Sequence, residues 1–382
     1  MPSRNNARVP SEISGSLSSA RTRTSPRVLA DDDSASGVRV RAPSERATRR
    51  DWPLLPWPRG PLSESVITAL QGDPGTLGVT PSTEGVDALS DDDFTLALYL
   101  CYEVHYRGLT NPRWEWDPDL LTFRAQLEGA FEQRLRDEVV TGTTRFPFEV
   151  PSMLEEMISS TQGPSLSSYL LETGTLDQFR EFCVHRSAYQ LKEADPHTFA
   201  IPRLTGEAKA AMVEIQYDEY GSGDANLMHS KLFSDTLKAL GLDPTYGSYV
   251  EVLPGVTLAS VNLVSMFALH RRWRAALVGH LAVFEMTSVT PMIRYSRALE
   301  RFDIGLDGRH FFDVHAMVDE RHALIARDRL VGGLIRAEPE LGADLLFGAA
   351  ALLMLEQRFA THLLSAWADE KSSLVPWEMS VS

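Results

Sequence analysis

The segment 311–322, FFDVHAMVDERH, places two histidines and an aspartate at positions i, i+4 and i+7. Each residue of an α-helix turns by about 100°, so His315, Asp319 and His322 project from one face. Apolar residues flank that face, which predicts that it points into a core. Because two imidazoles and a carboxylate are costly to bury without partners, a metal cation that binds all three is favoured. The alternative is an exposed, charged helix that carries two histidines on one side.

A metal site of this kind needs carboxylates from neighbouring helices, because non-haem iron and manganese favour mixed histidine and carboxylate ligation. Glu285 follows a long apolar stretch where a solvated glutamate would be out of place, although a frayed helix end is the alternative. Glu219 and His229 flank the glycine-rich residues 221–223. On an unbroken helix these two side chains would lie about 15 Å apart along the axis. The glycine interruption therefore permits their pairing without requiring it.

The chain contains no Glu-x-x-His motif. Ferritin-like diiron bundles use a pair of these motifs, so a metal site here belongs to another architecture. The order Glu, His, Glu and then His-x3-Asp-x2-His resembles that of the haem-oxygenase-like diiron oxidases, in particular the bacterial iron-containing redox enzymes. In this chain the pattern consists of Glu219, His229, Glu285, His315, Asp319 and His322. The spacing is also similar to that of an N-nitrosating member of the group, whose further upstream carboxylate corresponds to Glu193.

This resemblance implies a cofactor and a ligand set. The six residues are expected to hold two iron ions, Fe(II) or Fe(III), with Glu193 as an extra ligand and O2 as co-substrate. The implied partition places one ion on Glu219, His229 and His322, and the other on Glu285, His315 and Asp319.

The implied activity is that of a non-haem diiron oxygenase or oxidase that acts on a small amine or amino-acid-type substrate in specialised metabolism. Glu193 favours N-oxygenation, and C–H cleavage leading to desaturation or carbon–carbon scission is the alternative. A metal-free or haem-binding protein on the same fold is a second alternative, but haem binding gives no reason for Asp319 and Glu285 to face inward. A helical interaction module with a degenerate site is a third. An external electron donor and a homodimer are further partners that the resemblance allows.

The sequence pattern predicts an all-α fold, because Leu and Ala lead the composition and apolar residues recur every three or four positions. The predicted helices cover residues 91–106, 118–139, 152–160, 165–171, 176–192, 205–220, 224–240, 258–286, 309–330 and 343–367. The resemblance implies a haem-oxygenase-like helical bundle with an added N-terminal helical region that serves dimerisation. The predicted division of the chain is a disordered tail at 1–58, the N-terminal helical region at 59–180 and the diiron domain at 181–372.

Composition and charge argue against several other classes of protein. The formal net charge of −15 disfavours a nucleic-acid binder, because phosphate affinity depends on clustered Lys and Arg. No apolar run reaches the roughly 20 residues of a membrane span. The two cysteines, Cys101 and Cys183, lie far apart in apolar stretches and do not indicate a disulfide framework. These features predict a cytoplasmic protein with a small-molecule substrate, and neither a nucleic-acid nor a membrane partner.

Five further residues carry weaker signals. Glu103 and His105 project from different faces of one predicted helix, which favours a structural role, or a role at the edge of the substrate site, over metal ligation. His197 lies four residues after the extra carboxylate, but the intervening proline breaks the regular helix that would align the two. His270 and His280 have basic or apolar neighbours and are interpreted as packing or surface groups.

Overall fold

A computed structural model describes residues 55–139 and 147–376. In this part of the chain fifteen α-helices are joined by short 3-10 turns, and no β-strand occurs. The all-α prediction is confirmed. The tail predicted at 1–58 lies, except for its last four residues, outside the described residues.

The helices have the following bounds in chain order. They are α1 Pro61–Gln71, α2 Asp92–Glu103, α3 Pro118–Glu138, α4 Val150–Ser160, α5 Leu166–Glu172, α6 Leu176–Gln190, α7 Asp195–Thr198, α8 Gly206–Glu219, α9 His229–Ala239, α10 Gly255–Leu269, α11 Arg274–Thr287, α12 Val289–Arg301, α13 Leu306–Leu324, α14 Gly332–Ala337 and α15 Gly342–Ala368.

Side-chain caps explain where several helices begin. The Asp91 carboxylate accepts the N–H of Phe94 at 2.8 Å, and that of Asp117 accepts the N–H of Leu120 at 2.9 Å. Thr175 starts α6 with a reciprocal capping box. Each cap satisfies backbone donors that the helix leaves unpaired and contributes about 1 kcal/mol. The starts of α2, α3 and α6 therefore follow directly from local sequence.

The single long helix predicted at 258–286 was wrong, because the chain breaks at His270. That residue is extended, with φ −108° and ψ 117°, and a 3-10 turn follows at Arg271–Trp273. The Trp273 ring is buried against Phe267, with ring centroids 5.5 Å apart. His270 Nε2 lies 2.8 Å from a carboxylate oxygen of Glu128 on α3. Since no glycine or proline marks this break, tertiary contacts rather than local sequence end α10.

The start of α9 also differs from the prediction, which placed it at residue 224 or 226. The Asp224 carboxylate accepts the N–H of Asn226 at 2.8 Å and so stabilises a turn instead of a helix. The helix begins at His229, which is its first residue. This later start leaves the chain free to redirect between α8 and α9.

Helices α11 and α15 approach each other closely through two glycines. A Cβ added at Gly279 would lie 2.0 Å from the carbonyl oxygen of Leu345. A Cβ added at Gly348 would lie 2.1 Å from that of Ala276. Only glycine allows this backbone approach, which fixes α11 against the core. The position of Glu285, in the last turn of α11, depends on that contact.

The chain bends between α11 and α12, one residue after α11 ends at Thr287. Within the described ranges, no single helix combines the length and hydropathy needed to cross a membrane, although α11 with its preceding turn and α12 together meet the criteria as a pair bent by 51°. Ten of the fourteen residues of α11 are buried inside the protein. Glu285 therefore lies in the last turn of a core helix, just before the chain turns away.

Candidate metal centre

The structure brings the seven predicted ligands together from four helices and one turn. Glu219 is the last residue of α8 and His229 the first of α9, whereas α11 contributes Glu285, α13 contributes His315, Asp319 and His322, and Glu193 lies in the turn between α6 and α7. The six principal residues are buried, and the side chain of Glu193 is 10% exposed.

A first group consists of Glu193, Glu219, His229 and His315, whose ligand atoms all lie within 4.8 Å of one another. His229 Nδ1 lies 2.8 Å from Glu219 Oε2, and His315 Nε2 lies 3.6 Å from Glu193 Oε1. The two imidazole rings are 4.2 Å apart between centroids. Two imidazole and two carboxylate groups at such distances match the mixed ligation that iron prefers.

A second group consists of Glu219, Asp319 and His322, again within 4.8 Å of one another. His322 Nδ1 lies 3.5 Å from Asp319 Oδ1 and 4.0 Å from Glu219 Oε1. Glu285 joins this group, because its Oε2 is 3.3 Å from the same nitrogen. Glu219 belongs to both groups, because its Oε2 lies near His229 in the first group and its Oε1 lies near His322 in the second.

The observed grouping differs from the partition expected from the resemblance, in which His229 shared an ion with His322. His229 instead lies beside His315. Seven residues separate His315 from His322, which is about 10 Å along the helix axis. Phe233 on α9 packs against Phe311 on α13 with ring centroids 5.1 Å apart, and this contact places His229 at the His315 end.

Three buried atoms of the centre make no well-aligned hydrogen bond within the described residues, although other ligand-type atoms lie within 4 Å of each. They are His229 Nδ1, Asp319 Oδ1 and His322 Nδ1. Leaving such an atom unsatisfied costs about 1–3 kcal/mol, and more for a charged group. All three are atoms through which these side chains bind metals, so the residues present fit a pair of divalent cations.

Two neighbouring groups orient the histidine rings. Asp218 Oδ2 lies 3.1 Å from His322 Nε2, which leaves Nδ1 facing the second group. His315 Nδ1 donates to the carbonyl oxygen of Phe311 at 2.8 Å, which leaves Nε2 facing the first group. Metal-binding histidines usually hold their other ring nitrogen in this way. Sequence reasoning missed Asp218, because its position directly before Glu219 does not by itself place its carboxylate beside His322 on another helix.

We expect Asp218→Asn to weaken metal binding about 10- to 100-fold, the effect typical of lost ligand orientation. Titration of the metal-free protein with Zn(II) or Fe(II) measures the change. Glu214→Gln is the matched control, because Glu214 lies one turn earlier on α8 and also pairs with Arg321 but does not touch His322. Equal affinities for Asp218→Asn and the wild type would contradict the orienting role.

Burial and mutual contacts shift the protonation of the centre when no metal is bound. Burial raises the pKa of Glu219 to about 7 and that of Glu285 to about 8. Burial disfavours a charged His315, but the neighbouring carboxylates, Glu193 foremost, together outweigh it and raise the pKa of the imidazole to about 10. For His322 burial is likewise outweighed, by Asp319 and Glu285, and its pKa rises to about 11. A metal must displace the protons that these groups hold.

Gly221 allows the sharp redirection between Glu219 and His229. Its φ of 66° lies in the left-handed region, and an added Cβ would be 2.6 Å from backbone atoms of Leu227 and Met228. The predicted interruption of the helix is present as a 3-10 turn at Gly221–Gly223. This close backbone approach brings the first residue of α9 back to the last residue of α8.

We expect Gly221→Ala to displace His229 relative to Glu219 and to weaken metal binding roughly 10-fold or more. Gly223→Ala is the control, because Gly223 is also left-handed, at φ 92°, but has no atom within 4 Å of an added Cβ. Both variants should lose about 1–2 kcal/mol of unfolding free energy from the backbone conformation. Equal metal affinity of the two variants would show that the close approach at Gly221 is irrelevant to the centre.

A π-helical segment, Ile325–Val331, follows the ligand-bearing part of α13. It packs against α8 and α11, which carry Glu219 and Glu285. π-Helical turns often lie beside functional sites. The sequence pattern predicted a regular helix to residue 330 and held no signal for this distortion.

Several other ionisable residues lie outside the centre. Glu103 forms a buried ion pair with Lys192, and His105 is hydrogen-bonded to Arg124. His270 binds Glu128 on α3. None of these three predicted residues belongs to either ligand group.

A pocket adjoins the centre and has room for only a few water molecules. Its lining includes the four carboxylates of the centre. It also includes three neutral polar residues, which are Gln190 on α6, Gln216 on α8 and Ser288 at the bend after α11. Gln216 is 3% exposed and precedes Glu219 by three residues, so both project from one face of α8. Its amide nitrogen has no hydrogen-bond partner among the described residues. A ligand in this pocket would supply one.

Three comparisons with known proteins gave matches. The family model for iron-containing redox enzymes matches residues 180–357. The nitrosourea synthase of Streptomyces achromogenes subsp. streptozoticus is 25% identical over 207 residues, which cover 53% of this chain and 44% of that protein. A domain of unknown function with a heme oxygenase-like fold from Shewanella denitrificans OS217 aligns with a TM-score of 0.43 and 12% identity, over 59% of this chain and 93% of that structure.

All seven ligand-type residues fall inside the matched segment. The alignment with nitrosourea synthase covers less than half of that protein's length. The matched segment, residues 180–357, covers just under half of this chain and is similar to the iron-containing redox enzymes.

Proposed function

We propose that this chain is a non-haem diiron oxygenase that uses O2 to oxidise the nitrogen of a small amine or amino-acid-type substrate. The observation that carries the proposal is the pair of buried ligand groups that share Glu219. Two ferrous ions bound there would supply electrons for the reduction of dioxygen. An external donor would return the iron to the ferrous state.

The residues of the chain contribute charge balance and position. Four carboxylates, those of Glu193, Glu219, Glu285 and Asp319, offset the charge of two divalent cations. Burial excludes bulk water from the centre and strengthens each electrostatic interaction within it. The ring orientation set by Asp218 presents His322 to the centre before any metal arrives.

The pocket beside the centre favours a neutral or cationic substrate. None of the described residues that line it is Arg or Lys, so an anionic group would find no charged partner there. Gln190, Gln216 and Ser288 offer neutral hydrogen-bonding groups, and Tyr189 and Phe284 offer aromatic surface. An uncharged amine or an ammonium group is compatible with this lining.

Two features support oxidation at nitrogen. Glu193 lies beside His315 as an additional carboxylate, where the resemblance to the N-nitrosating member of the family expects one. The matching curated protein is named a nitrosourea synthase, and a nitroso group of that kind is carried on nitrogen. C–H cleavage remains the competing outcome for the experiment to decide.

The test is an oxidation assay with a panel of amines and amino acids. The metal-free protein is loaded anaerobically with Fe(II), its iron content is measured, and isotopically labelled O2 is admitted with each compound. We expect two iron ions per chain and a product that carries labelled oxygen on nitrogen, detected by mass spectrometry. His322→Ala, which lacks one ligand, is the inactive control. A desaturated or cleaved product with unmodified nitrogen would overturn N-oxygenation, and failure to bind two ions would overturn the diiron centre.

A further inference from the structure

Two buried histidines, His197 in the lining of the metal pocket and His280 in contact with it, belong to neither ligand group. Each is 1% exposed. His197 Nε2 lies 3.0 Å from His280 Nδ1, and His197 Nδ1 lies 3.3 Å from the hydroxyl of Tyr189. Three groups on three helices, α6, α7 and α11, therefore form one continuous hydrogen-bonded chain.

The chain can hold its hydrogen atoms in two arrangements. Burial lowers the pKa of His197 to about 3 and that of His280 well below its usual value, so both imidazoles are neutral and carry one N–H each. In one arrangement the Tyr189 hydroxyl donates to His197, and His197 donates to His280. In the other, His280 donates to His197, His197 donates to Tyr189, and the hydroxyl hydrogen is released for a different acceptor. Both arrangements satisfy the two inner hydrogen bonds.

The hydrogen-bonded chain connects two spaces. His280 lines a second cavity together with the Arg186–Glu356 ion pair, His197 lines the metal pocket, and Tyr189 lies between the two spaces and lines both. The side chains of that ion pair are 21% and 30% exposed, so this second cavity is lined in part by residues that also contact solvent. Ser260 also lines it, and the Ser260 hydroxyl is buried without a hydrogen-bond partner among the described residues. A water molecule bound there would satisfy the hydroxyl.

An aromatic pair stands between the two spaces. The rings of Tyr189 and Phe284 stack with centroids 5.5 Å apart and an interplanar angle of 4°, and both residues line both cavities. The stack presents apolar surface to any water that would cross directly. The hydroxyl of Tyr189 and the two imidazoles provide the polar route around it.

We propose that Tyr189, His197 and His280 form a proton wire that carries protons from the second cavity to the metal pocket. A proton from solvent binds His280 Nε2, while the proton on His280 Nδ1 moves to His197 Nε2. The proton on His197 Nδ1 then moves to the Tyr189 oxygen, and the original hydroxyl proton passes to an acceptor in the metal pocket. One proton enters and one leaves, so the wire keeps its charge and ends in the opposite arrangement.

This role rests on the proposed function, because reduction of dioxygen consumes protons in a site that burial shields from water. The structural alternative is that the two histidines only satisfy each other inside the core. The two alternatives predict different results. Only a proton wire requires that a substitution at Tyr189 changes the tautomer of His280. Only a proton wire requires that substitutions along it slow the same proton-dependent reaction with O2.

The first part of the test uses the metal-free protein. Nitrogen NMR of labelled histidines reports which ring nitrogen carries the proton. We expect His197 and His280 to be neutral at pH 7, and Tyr189→Phe, which keeps the stacked ring, to change the tautomer of His280. An unchanged tautomer at His280 in Tyr189→Phe would overturn the wire. Because no iron is present, this result does not depend on the proposed oxygenase activity.

The second part measures the reaction of Fe(II)-loaded protein with O2 in light and heavy water. We expect Tyr189→Phe and His280→Leu each to bind the same amount of iron but to react about 10- to 100-fold more slowly, with a changed solvent isotope effect. His185→Leu is the control, because His185 is equally buried and lines the same cavity but is bonded to Thr257 and Ser373. If Tyr189→Phe reacts slowly with O2 but His280→Leu reacts at the wild-type rate, the proton wire is overturned and the tyrosine acts without the histidines.

Discussion

Glu219→Gln should abolish binding of both proposed metal ions. The two oxygens of Glu219 serve both ligand groups, so its loss weakens each of them. We expect a loss of more than about 100-fold in affinity at both positions, beyond the 10- to 100-fold typical of residues that only orient a ligand. Zinc or iron titration of the metal-free variant, followed by metal analysis after desalting, measures the stoichiometry.

A matched comparison separates this effect from damage to the fold. His322→Ala removes a ligand of the second group alone and should leave one ion per chain. Glu207→Gln removes an exposed carboxylate at the other end of α8 and should leave both. Metal-free Glu219→Gln should be at least as stable as the wild type, because a neutral amide replaces a carboxyl group that burial already disfavours as an anion. Retention of even one tightly bound ion in Glu219→Gln would show that the groups are independent.

Thermal stability in excess metal gives a second readout of the same change. A ligand at about 100 times its Kd stabilises the folded state by about 2.7 kcal/mol. The wild type should gain at least that much from each saturating ion, and Glu219→Gln should gain nothing. A metal-induced rise in Tm in the variant equal to that of the wild type would contradict the shared role.

The stability of the metal-free protein should fall as pH rises above about 6.5. The pKa values of Glu219, Glu285, His315 and His322 are all raised, to about 7, 8, 10 and 11. A group with a raised folded-state pKa contributes stability that is fully present below its unfolded pKa and is lost as pH rises through the folded value. Burial lowers the pKa of His229 to about 3, so its opposite contribution varies only below about 6.5.

Metal binding should show the reverse dependence on pH. The ions displace the protons that the four groups hold, so affinity rises about tenfold per pH unit for each proton released. Between pH 6.5 and 8.5, the free energy of unfolding of the metal-free protein should therefore fall, and its difference from that of the Zn(II)-loaded protein should grow. Each proton released on binding changes the free energy of metal binding by about 1.4 kcal/mol per pH unit.

Calorimetry in buffers of different ionisation enthalpy counts the released protons directly. Glu285→Gln is the comparison variant, because it removes one of the raised carboxyl groups and should flatten the pH dependence of the metal-free protein. Binding without proton release, or a metal-free protein that gains stability over this interval, would contradict the protonated state of the centre.

Much of this protein follows from its sequence alone. The recurrence of apolar residues predicted the all-α fold, and the spacing of His315, Asp319 and His322 placed three ligand-type side chains on one helix face. Helical periodicity is a local property, so a single sequence suffices for it. The order of the seven residues also predicted the family whose model matches residues 180–357.

Other features were decided only by tertiary structure. The pairing of His229 with His315 depends on the packing of Phe233 against Phe311, and the break at His270 depends on the burial of Trp273. The orienting role of Asp218, the π-helical segment and the contact between His197 and His280 likewise had no clear local pattern. Each of these arises where two helices meet, and the side chains that face one another across such a contact are determined by the packing of the whole bundle rather than by spacing along one helix.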